Sequence, residues 1–180
     1  MRRQLMRPAW MLLALLVGAC AQAPTAPPAA DTEFELTGRL AVRYGDESFS
    51  GNLSWRHARS SDEMLISSAF GQGVARIARE GDLVTLTTAE PREYRATDAE
   101  SLTEQALGFR LPLSGLAEWV RARPAPRSSA LTDKGQDGRL RLLEQNGWKI
   151  EYLEYASGLP SRLRLTYPGI ELRLAITQWK

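Results

Sequence analysis

Apolar and polar residues alternate along most of the chain after residue 34, the period-two pattern of strands with one buried face and one solvated face. The pattern predicts strands at residues 36–43, 49–56, 64–68, 74–79 and 83–88, and again at residues 139–145, 148–155, 162–167 and 170–176. The dipeptides Asn146-Gly147 and Pro168-Gly169 divide the last four strands into two hairpins, and an Asn-Gly pair is the strongest two-residue hairpin signal.

Two short helices are predicted between these two groups of strands. Residues 97–100 (TDAE) match a capping box, and Gly108 fits a C-terminal cap. Ser114 can cap a second helix, which ends before Pro124. About six strands, two helices and about four strands predict a mainly β protein of the α+β class. A curved antiparallel sheet, covered by the helices on its apolar face, fits these elements.

The first twenty residues have the pattern of an export signal. Three arginines precede an apolar run of 11 residues, 9–19, which is too short for a membrane-spanning helix of about 20 residues. The single cysteine, Cys20, follows Val17-Gly18-Ala19 and so resembles the lipidated cysteine of a bacterial lipobox. We therefore predict a lipoprotein signal peptide at residues 1–19 and an acylated Cys20. The alternative is an ordinary signal peptide followed by a chance cysteine.

Residues 21–33 (AQAPTAPPAADTE) contain no large apolar side chain and are rich in proline and alanine, which is typical of a solvated tether. Fully extended, these 13 residues reach roughly 45 Å. The predicted organisation is therefore a signal peptide at 1–19, the acylated cysteine and tether at 20–33, and a folded domain at 34–180. Since Ala21 rather than Asp follows the cysteine, the resemblance to sorted lipoproteins favours the outer membrane.

Composition excludes several classes of function. Without Arg2, Arg3 and Arg7, the 23 basic residues fall to 20 against 21 acidic residues, so the processed chain has a net charge of −1 and no nucleic-acid partner is expected. One histidine and one cysteine cannot build a structural zinc site or an internal disulfide. The sequence also lacks nucleophile-elbow, zinc-protease and phosphate-loop motifs. We expect no enzyme, no metal and no cofactor.

Six segments in a fixed order resemble the LolB family of outer-membrane lipoprotein receptors. They are GRLAVRY (38–44), FSGNLSWRH (49–57), SSAFGQGVARI (67–77), LPLSGLAEWV (111–120), GWKIEY (147–152) and ELRLAITQWK (171–180). The resemblance implies an unclosed antiparallel β-barrel of about eleven strands, with short helices as a lid over an apolar cavity. It also implies a monomer that accepts acylated lipoproteins from the periplasmic carrier LolA and inserts them among outer-membrane phospholipids.

The same resemblance assigns candidate site residues. Phe70 takes the position of the family's exposed apolar loop residue, although the sequence there is Ala69-Phe70-Gly71 where the family often has Pro-Leu-Gly. The inward-facing positions of the predicted strands give the acyl-cavity lining as Leu40, Val42, Leu53, Trp55, Trp148 and Ile150.

Each assignment has a plainer alternative. Phe70 can fold back into the core, the tryptophans can be ordinary core residues, and His57 is expected at the surface. The strand arginines at positions 39, 43, 76 and 79 form a solvated face, or a subset of them meets LolA. The alternative function for the whole chain is a structural or assembly lipoprotein of the envelope with a filled core.

Overall fold

The computed structural model describes residues 31–90, 92–107 and 113–180, which form an antiparallel sheet and two helices. The elements are β1 (Thr32–Tyr44), β2 (Glu47–Ala58), β3 (Ser61–Ser67), β4 (Gly73–Glu80), β5 (Leu83–Thr88), β6 (Glu93–Ala96), α1 (Ala99–Leu107), α2 (Leu113–Trp119), β7 (Ala130–Lys134), β8 (Leu140–Gln145), β9 (Trp148–Ala156), β10 (Leu159–Tyr167) and β11 (Ile170–Trp179).

All the strands belong to one sheet with the order β6-β5-β4-β3-β2-β1-β11-β10-β9-β8-β7. Every neighbouring pair is antiparallel, and β1 pairs with β11, so the two ends of the domain meet in the middle of the sheet. Within the described residues the edge strands β6 and β7 do not pair with each other, so the barrel is unclosed. The helices lie in sequence between these two edges. The predicted fold class is confirmed.

One face of the sheet carries the core. The buried positions alternate along the strands, as in β11, where Ile170, Leu172, Leu174 and Ile176 are buried and the residues between them are more exposed. Side chains from both halves of the sheet and from both helices join a single hydrophobic cluster. The sequence pattern therefore predicts correctly which residues of each strand face the core.

The helix boundaries differ in detail from those predicted. The carboxylate of Asp98 accepts hydrogen bonds from the backbone N–H groups of Glu100 and Ser101, both at 3.1 Å, so Asp98 rather than Thr97 caps α1. The expected C-terminal cap, Gly108, lies outside the described residues. Ser114 is the second residue of α2 instead of its cap.

The N-terminal assignments fall mostly outside the described residues. The signal peptide at 1–19 and Cys20 lie there entirely, as does most of the tether at 20–33. The described chain begins at Asp31, and β1 already includes Thr32 and Glu33, two residues before the expected start of the domain.

Candidate functional site

A cavity of about 290 Å³ opens on the inner face of the sheet, between strands β1–β4, β11 and helix α2. Its wall is almost entirely apolar, and the polar residues Glu47 and Ser48 lie where the β1–β2 hairpin begins its second strand. The apolar and aromatic lining consists of Leu40, Val42, Tyr44, Phe49, Leu53, Trp55, Met64, Ile66, Val74, Ala75, Ile77, Leu116, Leu172 and Leu174.

The register of the sheet brings these side chains together. Leu40 lies opposite Leu174, and Val42 lies opposite both Leu172 and Phe49 on its two neighbouring strands. Because opposite residues in an antiparallel pair share a face, the rows form a continuous apolar surface. An apolar hollow of this kind offers no hydrogen bond, so it suits a hydrocarbon group rather than a polar ligand.

Four of the six residues expected to line an acyl cavity lie in this wall: Leu40, Val42, Leu53 and Trp55. Trp148 and Ile150 lie on β9 in the other half of the sheet and are buried, at 5% and 0% exposure. They contribute to the core there and are not part of this cavity wall.

The half of the sheet around Trp148 is filled by helix α2. Trp119, which is fully buried, packs against Trp148 with ring centroids 6.2 Å apart and ring planes tilted by 44°, and its indole Nε1 donates to Oε1 of Gln145 at 2.8 Å. The hydroxyl of Tyr152 donates to the carbonyl oxygen of Trp119 at 2.9 Å, and burial raises the pKa of that hydroxyl. These contacts anchor α2 over β8 and β9 and leave the space under β1–β4 open.

Sequence reasoning missed most of the remaining lining. Four of these residues occupy inward positions of strands that were predicted correctly: Met64, Ile66, Ile77 and Leu172. The alternation of apolar and polar residues along those strands was therefore sufficient to predict that they lie on the inner face of the sheet. Leu116 had no such signal, because the face of a short helix that meets a cavity depends on how the helix docks.

A buried polar cluster around Asp62 adjoins the cavity wall through Trp55. One oxygen of the Asp62 carboxylate accepts a hydrogen bond from Nε1 of Trp55 at 2.9 Å and lies 2.6 Å from Nδ1 of His57. The other oxygen accepts from Nε of Arg79 at 2.6 Å. His57 was expected at the surface and is only 8% exposed, because Asp62 supplies a buried partner for its ring and Phe34 packs against it.

The β3–β4 loop holds Phe70 away from the core, with 93% of the residue exposed. The loop is ordered by its own hydrogen bonds: the hydroxyl of Ser68 accepts from the backbone N–H groups of Phe70 and Gln72, both at 3.3 Å. Gly71 has a φ of +82°, a conformation that side chains disfavour. Ile66 and Val74, on either side of this loop, both line the cavity, so Phe70 lies beside the cavity's wall strands.

The described residues contain neither a membrane-spanning helix nor a metal-binding cluster. None of their helices is long and apolar enough to cross a membrane. Histidine, cysteine and carboxylate side chains in residues 31–90, 92–107 and 113–180 do not gather into a cluster of three that could hold a metal ion.

The structure is an unclosed antiparallel β-barrel with helices beside an apolar cavity, and the lining of this cavity suits a hydrocarbon group. The family model described as "Outer membrane lipoprotein LolB" matches residues 32–179. The chain therefore belongs to the LolB family, which is a family of non-enzymatic lipoprotein receptors.

Individual relatives agree with this assignment. The outer-membrane lipoprotein LolB of Thiobacillus denitrificans is 42% identical over 175 residues, which cover 93% of this chain and 94% of the relative. LolB of Nitrosomonas europaea is 41% identical over 157 residues, which cover 84% of this chain and 74% of the relative. A solved structure described as an outer membrane lipoprotein-sorting protein domain, from Vibrio parahaemolyticus, has a TM-score of 0.51 at 9% identity and covers 82% of this chain and 84% of that chain, which supports the fold alone.

Proposed function

We propose that this chain is an outer-membrane lipoprotein receptor that accepts acylated lipoproteins from the carrier LolA and inserts them into the outer membrane. The observation that carries the proposal is the juxtaposition of an open apolar cavity with a loop that exposes Phe70, in a member of the LolB family. The reaction involves no covalent chemistry, so no cofactor is needed.

The cavity is suited to shelter the acyl chains of the cargo. Each methylene removed from water contributes roughly 0.8 kcal/mol, so an apolar wall such as that of Leu40, Val42 and Leu53 binds acyl chains without polar contacts. A bilayer interior is equally apolar, and the transfer of a chain from the cavity into lipid is therefore close to neutral. What the receptor must supply is a path that keeps the chains out of water.

Phe70 is suited to provide that path. Inserting one phenylalanine into the bilayer surface contributes roughly 1.5–3 kcal/mol, which is too little to anchor a protein by itself but enough to orient one. Since Ile66 and Val74 connect this loop to the cavity wall, insertion of Phe70 brings the cavity close to hydrocarbon.

The anchor in this proposal is Cys20, the first residue after the signal peptide 1–19. A single acyl chain holds a protein only marginally, whereas the three chains of a mature lipoprotein hold it firmly. The tether 20–33 then keeps the domain 34–180, acting as a monomer, within roughly 45 Å of the membrane.

The competing function is a structural or assembly lipoprotein whose core is filled. A cavity of about 290 Å³ favours the receptor. Every strand and helix described lies within 32–179, so residues 20–180 with Cys20→Ala contain the complete fold without its anchor. We expect this soluble form to take up an acylated lipoprotein from LolA. Failure to bind any acylated peptide, in a protein whose circular dichroism shows it folded, would support the structural alternative.

The same substitution tests the anchor in cells. The full-length Cys20→Ala chain should lack lipid and fractionate away from the outer membrane, because no other cysteine is available for acylation. Retention of a lipidated Cys20→Ala protein at the outer membrane would overturn the assignment of Cys20.

A further inference from the structure

A second groove, of about 490 Å³, lies on the outer face of the sheet, opposite the cavity and the core. Four arginines from three adjacent strands surround small side chains. We call this site the arginine groove and define it by Arg39 of β1, Arg162 and Arg164 of β10, Arg173 of β11 and the alanines Ala41 and Ala175 between them.

The strand register places the four guanidinium groups around one point. Arg39 and Arg162 lie opposite Ala175 on its two sides, and Arg164 lies directly opposite Arg173. Like charges directly opposite each other destabilise an antiparallel pair. A sheet that keeps such a pair around a floor of alanines has the layout of an anion site.

The acidic residues nearby do not balance this charge. Five cations on this face share three carboxylates, in the pairs Arg43–Glu171, Arg173–Glu171, Lys149–Glu151, Arg164–Glu151 and Arg162–Glu154. Arg39 makes no ion pair with any described residue. The Nε atom of Arg164 is buried and has no hydrogen-bond partner in the described part of the chain. The guanidinium of Arg39 therefore retains its capacity to bind an anion, and the unpaired Nε of Arg164 shows that the nearby carboxylates do not satisfy the arginine cluster.

The groove adjoins the loop that exposes Phe70. Ala69, the residue before Phe70, is part of the groove wall, and the side-chain amide of Asn52 donates to the carbonyl oxygen of Ser68 at 3.1 Å. Asn52 lies opposite Arg39 in the register of β1 and β2. A membrane surface that contacts Phe70 is therefore also close to the arginine groove.

We propose that the arginine groove binds the phosphate of anionic glycerophospholipid headgroups when the domain rests on the membrane. Guanidinium groups match phosphate oxygens in charge and in bidentate geometry, and a headgroup phosphate is the anion that lies just outside the hydrocarbon into which Phe70 would insert. The orientation of the domain on the membrane rests on the proposed role of Phe70. The headgroup site itself does not depend on cargo binding.

The test measures binding of residues 20–180, with Cys20→Ala, to vesicles of phosphatidylcholine with or without phosphatidylglycerol. The protein should prefer the anionic vesicles, and added salt should weaken the preference. Because each basic residue near an anionic surface contributes about 1 kcal/mol, each of Arg39→Gln and Arg164→Gln should lower anionic binding about fivefold, with little effect on phosphatidylcholine. Arg76→Gln is the matched control, since Arg76 lies on the outer face of β4 and is paired with Glu63 at 2.8 Å.

Three results would overturn the proposal. The first is equal loss of binding in Arg76→Gln, which would indicate a diffuse charge effect. The second is unchanged vesicle binding in the groove variants together with weaker binding to LolA, which would assign the face to an acidic protein. The third is protection against thermal unfolding by inorganic phosphate without any preference for anionic vesicles, which would indicate a site for free phosphate. Phe70→Ala should weaken binding to both kinds of vesicle alike, so a failure of the Phe70 role is distinguishable from a failure of the groove.

Discussion

The guanidinium of Arg121 lies 2.9 Å from the carboxylate of Glu33, 88 residues earlier in the chain, and fastens the turn after α2 to the first strand. The same guanidinium donates to Glu118 at 2.6 Å and to the carbonyl oxygen of Ala117 at 3.0 Å, and it lies over the ring of Phe34, 5.2 Å from its centroid. This one side chain thus holds the helix beside the cavity in place against β1.

The pairing of Arg121 with Glu33 predicts a pH-dependent contribution to stability. The hydrogen bond from Arg121 lowers the pKa of Glu33 below its ordinary value of 4.5. A carboxyl with a lowered pKa stabilises the fold above pH 4.5, and this stabilisation is lost as pH falls through the lower value in the folded state. We expect Glu33→Gln to lower the free energy of unfolding at neutral pH by less than about 1 kcal/mol, because Glu33 is partly exposed.

Denaturant unfolding at neutral and acidic pH checks this prediction. The difference between wild type and Glu33→Gln should shrink as pH falls below 4.5. Glu144→Gln is the control, since Glu144 is exposed on β8 and has no ion pair with any described residue. A difference that stays constant across the acid range would show that Glu33 acts only through packing.

Helix α2 ends in a strained conformation that can be relieved. Ala122 has a φ of +56°, and the N–H of Arg123 donates to the carbonyl of Glu118 while that of Ala122 donates to Trp119, the two hydrogen bonds of a Schellman cap. Glycine is the residue usually found at this left-handed position. We expect Ala122→Gly to raise the free energy of unfolding by about 0.5–1 kcal/mol.

Thermal or denaturant unfolding measures the effect, with Ala117→Gly as the matched control. Ala117 lies inside the same helix and is buried, so its replacement by glycine should destabilise by at least about 1 kcal/mol. Destabilisation by Ala122→Gly would mean that the methyl group contributes more through packing than its backbone conformation costs.

Local sequence signals predicted the regular parts of the sheet. The Asn146-Gly147 turn has φ values of +53° and +79°, as the two-residue hairpin requires, and the strands on both sides have the expected bounds within a few residues. Alternation also gave the inward faces. The short edge strands β6 and β7 were not located from the sequence, because Glu93–Ala96 and Ala130–Lys134 carry few apolar residues. They form strands through hydrogen bonds to the adjacent strands β5 and β8.

Tertiary contacts determine which buried positions belong to the core and which line the cavity, and the alternation of apolar and polar residues does not predict this. Alternation places Trp148 and Leu53 on the same face, but only the docking of Trp119 determines that the space near Trp148 is filled while that near Leu53 stays open. The burial of His57 could not be predicted for the same reason, since it depends on Asp62, which lies opposite on β3, and on Phe34, which packs against the ring. The boundary between core and cavity thus depends on the helices, whose placement the sequence does not encode locally.

The cavity wall gives a direct test of acyl binding. Leu40 is half-buried and lines the cavity, so Leu40→Glu places a carboxylate where hydrocarbon must bind. Desolvating that charge is unfavourable by more than about 1.4 kcal/mol, so affinity for an acylated peptide should fall more than about tenfold.

Fluorescence titration with the acylated peptide measures this affinity. Leu65→Glu is the control, because Leu65 is 46% exposed on the opposite face of the sheet, on β3, and the substitution should leave binding unchanged. Leu53→Glu should be at least as harmful as Leu40→Glu if it folds, since Leu53 is only 7% exposed. Undiminished uptake from LolA by a folded Leu40→Glu or Leu53→Glu protein would remove these residues from the acyl site.

Phe70 should matter for delivery and not for folding, anchoring or acceptance. Its side chain is 93% exposed, so Phe70→Ala should change the free energy of unfolding by no more than about 0.5 kcal/mol. Phe70→Glu puts a charge where the loop would enter lipid, and the cost of desolvating that charge opposes insertion. Phe70→Leu keeps the apolar bulk and should be close to wild type.

A transfer assay into liposomes that scores acceptance from LolA and insertion into lipid separately tests all three variants. Phe70→Glu should accept cargo normally and fail to deliver it, so that loaded receptor accumulates. Leu131→Glu is the matched control, because Leu131 is 72% exposed on the edge strand β7, far along the sheet from the β3–β4 loop. Normal insertion by Phe70→Glu would refute the role in delivery. A loss of several kcal/mol in Phe70→Ala, as for a buried phenylalanine, would instead place this side chain in the core.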